Sequence, residues 1–163
     1  MNGRIANATW PELEQVDLVV APIGSIEQHG PHLPLDTDTI IAVAVAEAVA
    51  ADLVGAWVAP AVVYGSSGEH QAFPGTCSIG TDMLHLVLVE LVRSMRTWTR
   101  RVLFVNAHGG NLRAVSGAVR QLVDEGHEVA WAPCATEDVD LHAGRAETSL
   151  LLLLRPRLPG HHL

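Results

Sequence analysis

Short apolar runs alternate with longer helical patterns along this chain. Residues 16–23, 57–63, 101–106 and 128–133 are brief, apolar and rich in Val, which predicts strands buried on both faces. Between them, 38–54 is Ala/Val-rich and apolar almost all round, the pattern of a helix pressed between a sheet and another layer. Segment 82–98 sets Leu84, Val87, Leu88, Leu91, Val92 and Met95 on one helical face, away from Glu90, Arg93 and Arg96. Segment 112–125 sets Val115, Val119, Leu122 and Val123 against Arg113, Arg120 and Asp124, with Gly126 as its C-cap. A last helical run, 147–154, stops before Pro156. Strand alternating with helix predicts an α/β fold, a three-layer α/β/α arrangement around a mainly parallel sheet. No repeat or linker divides the chain, so one domain over 1–163 is expected.

The polar positions concentrate where the apolar runs end. Gly24 to Asp38 follows the first run and holds Glu27, His29, His32, Asp36 and Asp38. Gly65 to Thr76 follows the second, Asn106-Ala-His-Gly-Gly-Asn111 the third, and Asp140 to Ser149 the fourth. Each is rich in Gly and carries His beside a carboxylate or an amide. In open parallel sheets ligands sit at the carboxyl ends of the strands, so these loops describe a candidate active site.

Imidazole and carboxylate mixed at this density suit Zn, Mn or Fe(II) better than Ca or Mg. The Glu27-x-His29 spacing in an extended segment turns both side chains to one side. The alternative for the same loop is structural: Asp36 or Thr37 caps the helix and the His residues are surface groups. His108, taken alone, reads more often as a capping or packing residue; joined to the first loop, it becomes the natural remaining ligand.

Composition narrows the class further. The 163 residues are 48% apolar and 17% charged, with a net charge of −8, and all ten basic residues are Arg. Intrinsic disorder is excluded by that apolar content. No basic cluster exists to meet a phosphate backbone, so nucleic acid is not an expected partner. The stretch 39–63 is interrupted by Glu47, Asp52, Gly55 and Pro60, which argues against a membrane span. Two distant cysteines, Cys77 and Cys134, and an N-terminus without an apolar h-region fit a soluble, reduced, cytoplasmic protein.

The four loop motifs together resemble the creatininase (creatinine amidohydrolase) superfamily, over about residues 17 to 155. The motifs are Gly24-Ser-x-Glu-Gln-His-Gly-Pro-His-Leu-Pro-Leu-Asp-Thr-Asp38, Glu69-His…Phe73-Pro-Gly-Thr76, Asn106-x-His-Gly-Gly-Asn111 and His142-Ala-Gly-x-x-Glu-Thr-Ser149. The resemblance implies a hydrolase of amide C–N bonds that uses two divalent metal ions. It implies that Glu27 and His108 hold one ion, that His29 helps hold the other, and that Asp38 bridges them. The creatinine hydrolases carry a Glu where this chain has Gly110, and Glu147 is the expected replacement ligand. His142 is implied as the general acid. Glu69, His70, Phe73, Gly75 and Thr76 are implied as the lining of the substrate pocket.

Within the superfamily, the first and last motifs look most like peptidases that remove a C-terminal dipeptide from a modified precursor peptide. The substrate is therefore expected to be a modified peptide or a small amide, as in creatinine hydrolases and formamide deformylases. A non-catalytic metal-binding relative is the third reading, disfavoured because His142 and Glu147 are both retained. Members run some tens of residues past the Glu-Thr-Ser string, so the expected domain is shortened at its C-terminus. Because 38–54 is too apolar to face water, and members assemble as multimers, a homo-oligomer is expected.

Overall fold

The computed structural model describes residues 3–134 and 142–156. Its sheet has five parallel strands: β1 (Gly3–Arg4), β2 (Leu18–Ile23), β3 (Ala56–Val58), β4 (Arg101–Asn106) and β5 (Val129–Pro133), in the order β1-β3-β2-β4-β5. The four helices are α1 (Thr37–Ala51), α2 (Thr81–Met95), α3 (Leu112–Asp124) and α4 (Arg145–Leu154). Strand β2 lies at the centre, paired with β4 along its full length from Leu18↔Arg101 to Ile23↔Asn106.

The layering follows from the handedness of the crossovers. From β2 the chain steps to β3 on one side; from β3 to β4 and from β4 to β5 it steps the other way. Right-handed connections then place α1 on one face of the sheet and α2 and α3 on the opposite face. The core divides accordingly. Val19, Ala21, Ile23 and Phe104 pack against Leu84, Leu88, Val92, Ala118 and Leu122 of α2 and α3. Val20, Val58 and Val105 face Ala46 and Ala50 of α1.

Each predicted helix is present with its ends shifted by a few residues. The second predicted strand is shorter than expected: β3 stops at Val58, two residues before Pro60, which has no N–H to give to a ladder. The chain still tracks β2, with Ala59 N–H donating to Val20 O (2.9 Å) and Val62 N–H to Pro22 O (2.9 Å). Not anticipated were the short edge strand β1 and the 3₁₀ turns at Ile5–Asn7 and Trp10–Leu13. The apolar helix α1 is covered within the chain itself: Ile40 and Ile41 cluster with Leu33 and with Leu151 of α4. Exposed apolar residues include Val54 just past α1 and Leu152, Leu153 and Leu154 on α4, of which Leu153 is 75% exposed.

Phe104 is fully buried between the central strands and the α2/α3 layer. Phe104→Ala should lower unfolding free energy by about 3–5 kcal/mol in a urea titration, the usual cost of emptying such a site. A loss below about 1 kcal/mol would contradict this packing.

Candidate metal centre

The opposed steps from β2 to β3 and from β3 to β4 create a switch point at the carboxyl ends of β2 and β4. Two loops meet there. Gly24 ends β2 pressed against the start of α1, where a Cβ would lie 2.3 Å from Thr39 Oγ1 and 2.5 Å from Thr39 Cα. Only glycine permits that approach, and it brings the Glu27–His29 segment over the first turn of α1, which carries Asp38. The loop after β4 is a single 3₁₀ turn, Gly109–Asn111, with His108 just before it. Asn111 ties the loops together: its side chain donates to Gly24 O (2.9 Å) and accepts from Ser66 N–H (2.8 Å).

Glu27, His29, Asp38 and His108 are all buried at this junction. The Asp38 carboxylate lies between two imidazoles, with Oδ1 3.1 Å from His29 Nε2 and Oδ2 3.2 Å from His108 Nδ1. Its Oδ2 also accepts a hydrogen bond from the Ser25 hydroxyl (2.7 Å). His29 Nδ1–H donates to the Glu27 carbonyl (3.2 Å), which fixes the ring and leaves Nε2 facing Asp38. On the other side, His108 Nε2 is 3.2 Å from Glu27 Oε2 and 3.0 Å from the Ser66 carbonyl oxygen. Glu27 Oε1 lies 3.7 Å from both His70 Nε2 and His142 Nδ1.

Burial opposes the charged form of Asp38, yet hydrogen bonds from His108, His29 and Ser25, with the charge of His29, hold its carboxyl well below the usual carboxylate range. Burial likewise opposes charge on His29, but Asp38, the Glu27 carbonyl and the charge of Glu147 raise its pKa. In His108, burial is again outweighed, here by Asp38, Glu27 and the Ser66 carbonyl, and the pKa is raised. For Glu147 burial dominates and pushes the carboxyl up, against the pull of His29 and the Ala143 amide.

Glu27 is the exception to this pairing. Both of its oxygens are buried and neither has a hydrogen-bond partner. A carboxylate out of water without donors is costly, and a cation is the natural complement. Three sets of side chains bring their ligating atoms within 4.8 Å of one another: Glu27/His29/His142, Glu27/Glu69/His108 and His29/Asp38/Glu147. Mixed imidazole and carboxylate donors fit Zn, Mn or Fe(II).

A cleft of about 330 Å³ opens onto these groups, lined by Glu27, Asp38, Glu69, His108, His142 and Glu147 among others. A larger hollow of about 450 Å³ lies near the amino ends of the strands, against Pro11, Glu12 and Trp57, away from every ligating set among the described residues. The chemistry therefore belongs to the smaller one.

The structure brings Glu27, His29, Asp38, His108, His142 and Glu147 to one place, with Glu69 and His70 at the rim. Glu147 groups with His29 and Asp38 rather than beside Gly110. Phe73 is exposed, with its ring 6.3 Å from that of His70. Gly75 and Thr76 lie outside the cleft lining: Gly75 abuts Leu35, and Thr76 Oγ1 accepts from Gln28 N–H (3.3 Å). His32 is exposed and bonds Thr148 (3.1 Å), while Asp36 precedes α1 without a side-chain cap and pairs with Arg155 (3.5 Å). Asp140, Leu141, His161 and His162 lie outside the described residues.

Sequence reasoning missed Gln28. Its side-chain nitrogen is 3.0 Å from His70 Nδ1 and 2.9 Å from His142 Nε2, and its carbonyl is 2.9 Å from that same His142 nitrogen. It also missed Ser25, Ser66 and Asn111 as supports. Their one signal was polar character directly after buried strands, which does not distinguish a support from a loop.

The family model for creatininase, described as creatinine amidohydrolase, matches residues 6–159, and the chain belongs to the creatininase family. It is 55% identical over 146 residues to the mycofactocin precursor peptide peptidase of Mycolicibacterium smegmatis, covering 86% of this chain and 59% of that relative. It is 51% identical to the enzyme of that name from Mycobacterium tuberculosis (94% and 65% covered) and 30% identical to creatinine amidohydrolase of Pseudomonas putida (72% and 51%). The chain thus spans about three fifths of the length of the peptidases it matches. Among solved structures, a Glu-to-Gln variant of creatininase complexed with creatine superimposes with a TM-score of 0.80 at 27% identity, covering 94% of this chain and 73% of that one. Creatininase with Mn gives 0.78 at 27% identity over the same shares.

Metal ligation requires neutral imidazoles, and the pKa values of His29 and His108 are raised. Zinc binding should therefore release protons and tighten as pH rises from about 6 to 8, measured by calorimetry in buffers of differing ionisation enthalpy. In the metal-free protein the sign is reversed. The stabilisation from these two histidines is complete below about pH 6.5 and is lost as pH rises through their raised values. A pH-independent zinc affinity would contradict the assignment of these side chains as ligands.

Proposed function

We propose that this chain is a dinuclear metal-dependent amide hydrolase that trims the C-terminal dipeptide from the modified mycofactocin precursor peptide. The observation that carries the reading is the buried, unpartnered carboxylate of Glu27 beside an Asp38 held between two imidazoles. The identity with peptidases of that name supports this substrate.

Glu27 and His108 would hold one cation and His29 and Glu147 the other, with Asp38 shared between them. When bound, two divalent ions, Zn, Mn or Fe(II), would supply Lewis acidity for activating water and the scissile carbonyl. The residues of the chain then position and protonate. Hydrolysis joins the oxygen of water to the carbonyl carbon and breaks the C–N bond, so the departing nitrogen must receive a proton. His142 Nδ1 faces the cleft 3.7 Å from Glu27, with Nε2 turned to the Gln28 carbonyl, and is the donor. His70 stacks on the His142 ring, centroids 4.5 Å apart, and helps hold it in place. His70 and Phe73 form the rim that receives the peptide, and Gly75 and Thr76 brace its loop against Leu35 and Gln28.

The experiment is turnover of the modified peptide by metal-loaded protein, with creatinine as the competing small amide. Cleavage of the peptide and not of creatinine is expected; the reverse would assign a small-molecule amidohydrolase instead. Asp38→Ala should lose both ions together in elemental analysis, because it serves both. His142→Ala should keep its metal while turnover falls by about 10²–10⁴, the usual worth of a positioned proton donor. If His142→Ala keeps full rate or sheds metal, it is not the acid.

A further inference from the structure

Glu69 stands on the short 3₁₀ turn Gly68–His70, in a loop that follows β3, and its side chain is 52% exposed. A glutamate so placed usually extends into water. This one turns inward, with Oε1 3.7 Å from His108 Nε2, and its carboxylate, Glu27 and His108 bring their ligating atoms within 4.8 Å of one another. The reason it can do so is Gly110. A Cβ built at that position would lie 2.7 Å from Glu69 Oε1, 2.4 Å from His108 Nε2 and 2.3 Å from the Ser66 carbonyl oxygen. Any side chain there would occupy the space the Glu69 carboxylate uses.

Inward placement beside a buried anion is unfavourable unless something positive lies between. Glu27 has both oxygens buried without a hydrogen bond, and its Oε2 lies 3.2 Å from the same His108 Nε2. Among described cations His108 is the one near both carboxylates, and one imidazole already shared with Asp38 does not complement two more carboxylates. The set Glu27/Glu69/His108 shares no residue with His29/Asp38/Glu147, so each cation would have its own carboxylate besides Glu27 and Asp38.

We propose that Glu69 is a protein ligand of the cation held by Glu27 and His108, admitted by the glycine at position 110. This rests on the dinuclear reading above and deepens it. Glu69 then belongs to the metal centre rather than to the substrate-binding rim, and the loop after β3 joins those after β2 and β4 in holding metal. Because that loop is open to solvent, the ion it closes exchanges more readily than the one beside Glu147.

The test is zinc content and affinity of the full chain carrying Glu69→Gln, with circular dichroism to check the fold and Glu147→Gln in parallel. Content is measured by mass spectrometry after gel filtration, and affinity by competition with a chromophoric chelator. Glu69→Gln should keep its fold, lower the affinity of one ion by about 10–100-fold and leave the second ion in place. Glu147→Gln should weaken the other ion, so the double variant loses both. Unchanged affinities in Glu69→Gln with a raised KM for peptide would overturn the proposal and leave Glu69 in the substrate rim. If Asp38→Ala and Glu69→Gln both retain two ions, the dinuclear reading itself fails; if only Glu69→Gln does, that reading stands without Glu69.

Discussion

The constraint on which this structure turns is the burial of carboxylates at the end of its sheet. Glu27 and Asp38 are almost wholly withdrawn from solvent, and charged groups in that position need partners. Asp38 has them in His29, His108 and Ser25. The Glu27 carboxylate makes no hydrogen bond, with the His108 imidazole 3.2 Å from one oxygen and those of His70 and His142 3.7 Å from the other. A protein that accepts such a group in its interior does so with a compensating charge, and imidazole and carboxylate atoms converge around it in sets that could hold a metal cation.

The fold supplies the place. Strand β2 is central, its neighbours β3 and β4 are reached by crossovers in opposite directions, and the loops after β2 and β4 are left facing one another. The sheet and its two apolar layers keep those loop origins rigid, while Gly24 and Asn111 bind one loop to the next at close range. His142 and Glu147 arrive from a different direction, at the start of α4, which is anchored by Leu151 against α1. The geometry of the cleft thus depends on packing remote from it: loosening α4 would displace His142 and Glu147 together.

Much of this was legible in the chain itself. The β4 run is so apolar and β-branched, and so cleanly bounded by Arg101 and Asn106, that its limits read directly. The Val-rich strands and the amphipathic α2 and α3 follow from period alone, and the polar loops after strands follow from the parallel order. The run 57–63 misled because Pro60 interrupts pairing without interrupting hydrophobicity. The apolar α1 suggested a missing partner because α4, which covers it, is distant in sequence. In the site, His29, His108 and the acidic residues announced themselves by type. Gln28 and the inward turn of Glu69 did not, since each depends on a neighbour that only folding brings near: His142 for the one, the empty volume at Gly110 for the other. Gly75 and Thr76 shared a motif with Glu69 yet brace the loop from outside the cleft.

The central claim is that cations answer the buried charge of Glu27 and Asp38. A crystal structure of the zinc-soaked chain, with anomalous data collected at the zinc edge, tests it most directly. Two anomalous peaks on opposite sides of Asp38 are expected, with Glu27 oxygen and His108 nitrogen about 2.0–2.2 Å from one and His29 nitrogen at a similar distance from the other. A map with no peak near Glu27, its carboxylate instead hydrogen-bonded to protonated histidines, would contradict the account.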